Sequence, residues 1–344
     1  MPDLLYIGDL GPGTTSRMRC EALKELGYQV TEFPTDVPQP KVVLRYADKF
    51  ARRLRIPIDH AGVNRMLLDR PEIPAILWID KGNTVLPSTL RAVRKRAPGV
   101  RIIGYSPDDM LQWHCSSFYF LRGLPSYNAF ITTKSFGVEE LKRAGCPIVV
   151  FSENAYDPAT HCPMRKPDGS PIEQTIGVGF IGHHERARCR SIARLCEAGV
   201  PVTVTGPGWH RHRRALPANA TILPPVYGPE YAARISATLV NLGFLRKMNR
   251  DLQTQRTVEV PACAALLLAE RTAEQQALFA EGAEADYFGD DDELIAKARQ
   301  YLAQPAEAHR IGQAGRRRCL AGRYSYRERL ADALLELGLT GQET

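Results

Sequence analysis

Two carboxylates and a guanidinium lie close together in the segment 251–268. Asp251, Arg256 and Glu259 precede a turn of small residues and the apolar run 264–269. We predict a helix that carries all three charged side chains, followed by a buried strand. At about 100° per residue, the eight positions from the first carboxylate to the second turn roughly 80° beyond two full turns, so the two lie on neighbouring parts of one helix surface. A carboxylate there can accept hydrogen bonds from ribose hydroxyls, and an arginine beside it can hold a phosphate. The same residues suit a solvated helix face with an aspartate near its start, and spacing alone leaves both interpretations open.

Glycines and basic side chains follow other predicted strands of the second half, where open α/β sheets bind their ligands. Gly182 directly follows the apolar run 176–181. His183 and Arg186 can add side-chain donors for a phosphate to the free N–H groups of the next helix. Gly206 can admit a nucleotide, and Trp209 can pack beside its base or close a core edge. Arg246 and Lys247 can bind a diphosphate or form a mobile basic loop.

The first half offers a glycine-rich loop and three polar strand ends. Gly11 and Gly13 allow a tight turn before a helix whose N–H groups suit an anion, although a plain turn capped by Ser16 is the alternative. The spacing is not that of a dinucleotide fingerprint. The polar side chains after the strands are candidates for binding an acceptor substrate or for serving as a general base. They are Asp80, Asp108, Asp109 and His114.

Composition limits the partners. The net charge of +7, from 45 basic and 38 acidic residues, suits phosphate-bearing ligands or an anionic membrane surface. The basic clusters 211–214 and 316–318 are not interleaved with aromatic residues, so we predict no nucleic-acid binding. The eight cysteines are scattered without metal-site spacing, the N-terminus is typical of a strand, and no apolar run reaches the roughly 18 residues of a membrane span. We therefore expect that the thiols are reduced, that the protein is cytoplasmic and that it binds no metal ion.

Short apolar runs alternate with helical segments in both halves, a pattern typical of parallel sheets covered by helices on both faces. The predicted strands are 4–7, 29–33, 75–79, 101–105, 129–132 and 148–151 in the first half, and 176–181, 202–205, 221–223, 238–242, 264–269 and 286–288 in the second. The predicted domains are an N-terminal Rossmann-like domain over 1–155, a proline-rich linker over 156–175, a second Rossmann-like domain over 176–322, and a C-terminal helix and tail over 323–344.

The segment 251–268 resembles the nucleotide-sugar-binding segment of GT-B glycosyltransferases of the family 4-like group, and especially that of CgeB-type spore-maturation proteins. The resemblance rests on Arg256, Glu259 and the Ala262-Cys263 turn, while Ala264 stands where that family usually has glycine. It implies an α/β GT-B fold, in which two Rossmann-like domains face a central cleft and the last helix crosses back onto the first domain. It also implies that Tyr227 lies near the base, that Thr257 belongs to the donor site, and that the 8–17 loop approaches the donor diphosphate.

The resemblance further implies a hexosyl transfer without cofactor or metal, from a UDP- or GDP-type sugar to a glycan, a lipid-linked or a protein acceptor, with retained anomeric configuration. The alternatives are a nucleotide-sugar 2-epimerase of the same fold and a non-catalytic nucleotide-sugar-binding protein. The acidic run 290–292 resembles a metal motif of the other glycosyltransferase fold, but we expect it to cap a helix.

Overall fold

Two parallel β-sheets form the framework of the chain. The computed structural model describes residues 2–37 and 42–339, with the backbone alone over 42–45. The described residues up to Glu153, together with those from Tyr326 onward, form one compact unit, and Asn154–Ser325 form the second. No helix within the described ranges is both long and apolar enough to cross a bilayer.

The first unit alternates strands and helices around a six-stranded sheet. Its elements are β1 (Asp3–Gly8), α1 (Thr15–Glu25), β2 (Gln29–Pro34), α2 (Val42–Arg53), α3 (Val63–Asp69), β3 (Ile76–Asp80), α4 (Pro87–Arg96), β4 (Arg101–Ser106), α5 (Phe118–Gly123), β5 (Ala129–Thr132), α6 (Gly137–Arg143) and β6 (Val149–Phe151). All neighbouring strands are parallel, in the order β2-β1-β3-β4-β5-β6. The last helix of the chain, Tyr326–Glu336, packs against α1 in this unit.

The second unit repeats the arrangement. Its elements are β7 (Ile176–Ile181), α7 (Arg186–Glu197), β8 (Val202–Thr205), β9 (Ala220–Leu223), α8 (Gly228–Ser236), β10 (Thr238–Gly243), α9 (Arg256–Ala262), β11 (Leu266–Glu270), α10 (Ala273–Leu278), β12 (Asp286–Phe288), α11 (Asp291–Ala303) and α12 (Pro305–Ala321), so the helix Tyr326–Glu336 is α13. The sheet is parallel throughout, in the order β12-β11-β10-β7-β8-β9.

Burial explains why these segments form strands. The residues of β3 from Ile76 to Ile79 and those of β11 from Leu266 to Ala269 are all buried, as expected for parallel strands covered on both faces. All twelve predicted strands are present, with ends within two residues of the predicted ones. The two-sheet α/β prediction is therefore confirmed.

The N-terminal caps of two helices, α11 and α1, can be compared with the sequence analysis. The Asp290 carboxylate accepts a hydrogen bond from the Glu293 N–H at 2.9 Å and caps α11, which confirms the capping role of the acidic run. The cap of α1 is Thr14, whose hydroxyl accepts from the Arg17 N–H at 3.2 Å. The alternative interpretation named Ser16 as the cap, but that residue lies inside the first turn.

Ala264 adopts a left-handed backbone between α9 and β11. Its φ is +59°, and β11 begins two residues later than predicted because this residue turns the chain. An L-alanine pays roughly 1–2 kcal/mol for this conformation, which glycine adopts freely.

We expect Ala264→Gly to raise the free energy of unfolding. Relief of the backbone strain exceeds the extra entropy of glycine in the unfolded chain by about 0.5–1 kcal/mol. Urea denaturation measures the change. The matched control is Ala262→Gly inside α9, which should lower stability by roughly 1 kcal/mol. A loss of stability in both variants would contradict this explanation of the turn.

Candidate functional site

The strand order of the second unit locates its ligand-binding edge. The chain runs outward from β7 to β8 and β9 on one side, and from β10 to β11 and β12 on the other. The crevice beyond the carboxyl ends of β7 and β10 is therefore the topological switch point, where open α/β sheets bind ligands. Gly182 lies in the loop after β7, Arg188 lies in the first turn of the following helix α7, and Arg246 lies in the loop after β10.

The backbone at the end of β7 is tightly packed around Gly182. A Cβ on this residue would lie 2.6 Å from Arg256 Nη2, and a Cβ on Gly206, whose φ is +143°, would lie 2.3 Å from the Gly182 carbonyl oxygen. The Trp209 indole N–H donates to that same oxygen at 2.8 Å, and Arg256 Nε donates to the Ile181 carbonyl at 2.6 Å. Because Gly182 and Gly206 have no side chains, the Arg256 guanidinium can lie against the end of β7.

Three guanidinium groups, those of Arg188, Arg246 and Arg256, gather beside this loop, and the carboxylates that act on Arg188 are those of Glu185 and Asp251. Arg188 Nη1 donates to the His183 carbonyl at 3.1 Å, and Glu185 Oε1 lies 3.2 Å from that guanidinium and 3.4 Å from Arg246 Nε. Burial, and then repulsion by Arg256, lower the pKa of Arg188 to about 10. Its side chain is buried and its Nε has no hydrogen-bond partner among the described residues. A bound anion would relieve both penalties.

Arg188 is one of two residues, with His161, that the sequence analysis did not select. Arg186, the predicted phosphate ligand, is exposed at the start of α7, whereas Arg188 lies on the buried stripe of that helix with Ile192 and Leu195. The sequence carried a signal for this position, because an arginine four residues before an isoleucine on an apolar stripe points toward the core rather than toward solvent.

Glu259 is buried in the first turn of α9 and held by two side chains. The Tyr231 hydroxyl donates to Glu259 Oε2 at 2.7 Å, and His161 Nε2 lies 3.7 Å from Oε1. His161 Nδ1 accepts from the Asp157 N–H, which leaves the ring proton on Nε2, facing the carboxylate. Both partners orient the carboxylate. His161 lies in the segment that we interpreted as a linker, so its role was not predicted.

Asp251 does not share a helix with Glu259. The helix α9 begins at Arg256, and Asp251 lies in the preceding loop, where its carboxylate accepts from the Asn249 side chain at 2.8 Å and the Arg246 N–H at 3.3 Å. The predicted angle between the two carboxylates on one helix surface was therefore wrong. Asp251 instead shapes the loop that presents Arg246.

Two predicted donor-binding side chains are used inside the fold. Trp209 is fully buried, with its ring edge against Phe180, so it is not available to pack on a base; the core-edge alternative holds. The Thr257 hydroxyl donates to Gln275 and accepts from the Thr254 N–H. Both side chains therefore have partners within the second unit.

The remaining predicted donor-side residues are accessible. Tyr227 is 62% exposed just before α8, and Lys247 is exposed and paired with Glu270. His183 is exposed and lines a cavity of about 470 Å³ with His184, His210 and Arg211. The part of its ring that is buried, and then the nearby Arg246, lower the pKa of His183.

In the first unit, Asp80 forms a buried ion pair. Its Oδ2 accepts from Arg19 Nη2 at 2.6 Å, from Arg19 Nε at 3.0 Å and from the Tyr6 hydroxyl at 2.8 Å. The side chains of Arg19 and Asp80 are 1% and 3% exposed, and the Arg19 guanidinium also lies over the Tyr105 ring at 4.2 Å. This geometry gives Asp80 a neutralising role in the core of the unit rather than that of a free base.

The other acidic candidates differ in accessibility. Asp108 pairs with Lys81 at 2.8 Å and is partly exposed, and His114 is exposed. Asp109 is buried and accepts from the Leu111 N–H at 3.2 Å. The neighbouring ends of β3 and β4 therefore bring Asp80 and Asp108 to one edge, where Asp108 and His114 are the accessible candidates.

The glycine-rich loop of the first unit already binds carboxylates of the chain. The Leu10 N–H donates to Asp36 at 3.0 Å, and the Gly11 N–H donates to Asp9 at 3.1 Å; Gly13 supplies the turn with a φ of +74°. A phosphate would have to displace these carboxylates. The predicted approach of this loop to a diphosphate thus finds no free amide at Leu10 or Gly11.

Among the described residues, one group places metal-ligating atoms within 4.8 Å of one another: Cys20, Glu21 and Glu32. Lys24 pairs with both carboxylates, and Arg17 also pairs with Glu32. Burial, and then Glu32, raise the pKa of Cys20 to about 12, so the thiol is protonated at pH 7. The carboxylates of this group are therefore already paired with cations of the chain. All eight cysteines are free thiols.

Comparison with known families gives a match over part of the chain. Residues 185–335 match the family described as "Glycosyl transferase-like", a segment that begins at Glu185 and contains α7, α9 and the loop after β10. The sequence matches no curated protein.

Three solved structures share the fold of the whole chain. Sucrose-phosphate synthase from Thermosynechococcus elongatus is 14% identical, with a TM-score of 0.67 over 98% of this chain and 99% of that one. HepE from Anabaena, in complex with UDP-glucose, is 12% identical, with a TM-score of 0.62 over 98% and 100%. A proposed UDP-N-acetylglucosamine 2-epimerase from Listeria monocytogenes is 11% identical, with a TM-score of 0.57 over 99% and 97%. The predicted GT-B fold of two Rossmann-like domains is confirmed.

We expect Asp80→Asn to lower the free energy of unfolding by about 3–5 kcal/mol, because it leaves the Arg19 charge buried without its partner. The matched control is Asp108→Asn, whose partly exposed ion pair should contribute less than about 1 kcal/mol. Urea denaturation measures both. An Asp80→Asn variant of unchanged stability that loses turnover would instead identify Asp80 as the general base.

Proposed function

We propose that the chain is a glycosyltransferase that moves a sugar from a UDP- or GDP-type nucleotide sugar to an acceptor. The observation that carries this proposal is the buried, under-neutralised Arg188 beside Arg256 at the switch point of the second unit. An anion such as a diphosphate satisfies it, and the segment around it matches a glycosyltransferase-like family.

The donor would be held from its diphosphate to its ribose. Arg188, Arg246 and Arg256 supply charged donors for the diphosphate, and Gly182 leaves room for close approach of the backbone. The Glu259 carboxylate, which Tyr231 and His161 orient, accepts hydrogen bonds from ribose hydroxyls with its remaining lone pairs.

The same cations would stabilise the departing nucleoside diphosphate. Negative charge develops on the leaving phosphate as the sugar becomes oxocarbenium-like, and fixed guanidinium groups in a water-poor site stabilise it without reorganisation. We therefore propose that transfer needs no metal ion. Hexosyl transfer, retention of anomeric configuration and membership of the CgeB-type subgroup are expectations of the resemblance that belong to this proposal.

One alternative is a nucleotide-sugar 2-epimerase of the same fold. Another is a non-catalytic protein that binds a nucleotide sugar as a sensor. Donor turnover separates the three. A transferase releases nucleoside diphosphate rapidly only when an acceptor is present, whether glycan, lipid-linked or protein; an epimerase converts the sugar without an acceptor; and a sensor does neither. Uridine nucleotides are the first donors to test, because HepE binds UDP-glucose in its solved complex.

We expect Arg188→Met to raise the dissociation constant for a nucleoside diphosphate about tenfold or more, since a charged hydrogen bond contributes ~1.5–3 kcal/mol. Isothermal titration calorimetry measures the change. Arg186→Gln, on the exposed side of the same helix, and Arg317→Gln, exposed on α12, should bind as the wild type does. A larger loss in Arg186→Gln than in Arg188→Met would place the diphosphate elsewhere.

Glu259→Ala should weaken binding of the nucleotide sugar about tenfold or more, from loss of charged hydrogen bonds to the ribose worth ~1.5–3 kcal/mol. Calorimetry with a panel of nucleotide sugars tests this and also identifies the donor. The control is Glu336→Ala, exposed on α13. Unchanged affinity in a folded Glu259→Ala variant would refute the ribose assignment.

A further inference from the structure

Large apolar side chains are exposed along α2 of the first unit. Tyr46, Phe50 and Leu54 recur at every fourth residue and are 71%, 64% and 45% exposed. Leu54 continues the helical turn, since its N–H donates to the Phe50 carbonyl at 3.0 Å. At about 100° per residue these side chains fall within roughly 80° of one another around the helix, so they form one stripe.

The apolar stripe is followed by a second pair of exposed rings. Arg55, with a φ of +61°, turns the chain directly after Leu54, and its guanidinium lies 5.2 Å from the Trp113 ring and 5.3 Å from the Phe118 ring. The Phe118 N–H donates to the Arg55 carbonyl at 2.8 Å, which fixes this loop against the end of α2. Trp113 is 61% and Phe118 46% exposed. We call the five residues Tyr46, Phe50, Leu54, Trp113 and Phe118 the aromatic surface.

Cations border the aromatic surface. Residues 46–58 contain four basic side chains and one acidic side chain. That acid, Asp48, accepts from Arg52 Nε at 2.8 Å and lies 3.3 Å from His60 Nε2, and its side chain is only 18% exposed. Lys49 and Arg53 are exposed on α2 on the side next to the stripe. An apolar stripe edged by lysine and arginine is the charge pattern of a helix that lies at an anionic lipid surface.

The types of the exposed rings match those found at a bilayer interface. The exposed rings are those of tyrosine, tryptophan and phenylalanine, and the first two are enriched at the level of lipid headgroups. A cavity of about 320 Å³ beyond the carboxyl ends of β1 and β3 lies beside this part of the chain, because Arg52 and Ile58, which flank Leu54 in the sequence, line it.

We propose that the aromatic surface binds the headgroup region of an anionic phospholipid bilayer, with α2 lying in the plane of the interface. Its rings and Leu54 enter the boundary of the acyl chains, while Lys49 and Arg53 contact lipid phosphates. This binding is independent of the nucleotide site in the second unit.

Sedimentation of the full chain with vesicles tests the proposal. We expect binding to phosphatidylcholine vesicles that contain about one-third phosphatidylglycerol, and weak binding to phosphatidylcholine alone. The double variant Tyr46→Ser with Phe50→Ser should reduce partitioning about tenfold or more. The pair Lys49→Gln with Arg53→Gln should weaken binding to anionic vesicles and reduce its dependence on salt. The control Leu335→Ser, which removes a side chain 65% exposed on α13, should bind vesicles as the wild type does.

Three results would overturn the proposal. One is equal vesicle binding by the Tyr46→Ser/Phe50→Ser variant and the wild type, and another is equal binding to neutral and anionic vesicles. The third is a concentration-dependent dimer that the same double variant abolishes, which would make the surface an interface between two copies of the chain. Circular dichroism checks that the variants are folded. Nucleotide calorimetry on them should be unchanged, so failure here and failure of the proposed function remain distinguishable.

Discussion

The close approach of three segments at Gly182 is the constraint on which the rest of the second unit's site depends. The Gly182 carbonyl accepts a hydrogen bond from the Trp209 indole N–H and lies where a Cβ on Gly206 would be. The Arg256 guanidinium occupies the space in which a side chain on residue 182 would lie. Glycine at position 206 is a steric requirement, because an added Cβ would lie 2.3 Å from the Gly182 carbonyl oxygen. A Cβ at position 182 would displace the Arg256 guanidinium, whose Nη2 would lie 2.6 Å away. The end of β7 is thereby held rigidly beside a cation.

That packing explains the unusual charge balance of the site. Arg256 and Arg188 donate to main-chain carbonyls, which satisfy hydrogen bonds without cancelling charge. Glu185 is shared between Arg188 and Arg246, so the group keeps a positive excess although Arg188 is buried. Burying a charge without full compensation is costly, and such sites are concentrated where a ligand supplies the missing partner. This charge balance supports the proposal that the site binds an anion. In the first unit, the buried Arg19 has a carboxylate of its own, because Asp80 Oδ2 lies 2.6 Å from its Nη2.

The framework was predictable because its signals are local. Continuous apolar runs such as 76–79 and 266–269 predict parallel strands, and all twelve strands were found. The site was less predictable because it depends on where side chains point. Asp251 was placed on a helix that begins five residues later, and Arg186 was preferred to Arg188 although only Arg188 lies on the buried stripe of α7. The roles of His161 and Trp209 follow from contacts between segments distant in sequence, which no periodicity reveals.

A crystal structure of the full chain with a bound nucleoside diphosphate tests the central claim most directly. The account predicts diphosphate oxygens at hydrogen-bond distance, about 2.7–3.2 Å, from the guanidinium groups of Arg188 and Arg256, with a ribose hydroxyl on Glu259. A nucleotide whose diphosphate contacts neither guanidinium, with Arg188 still lacking an anionic partner, would contradict it.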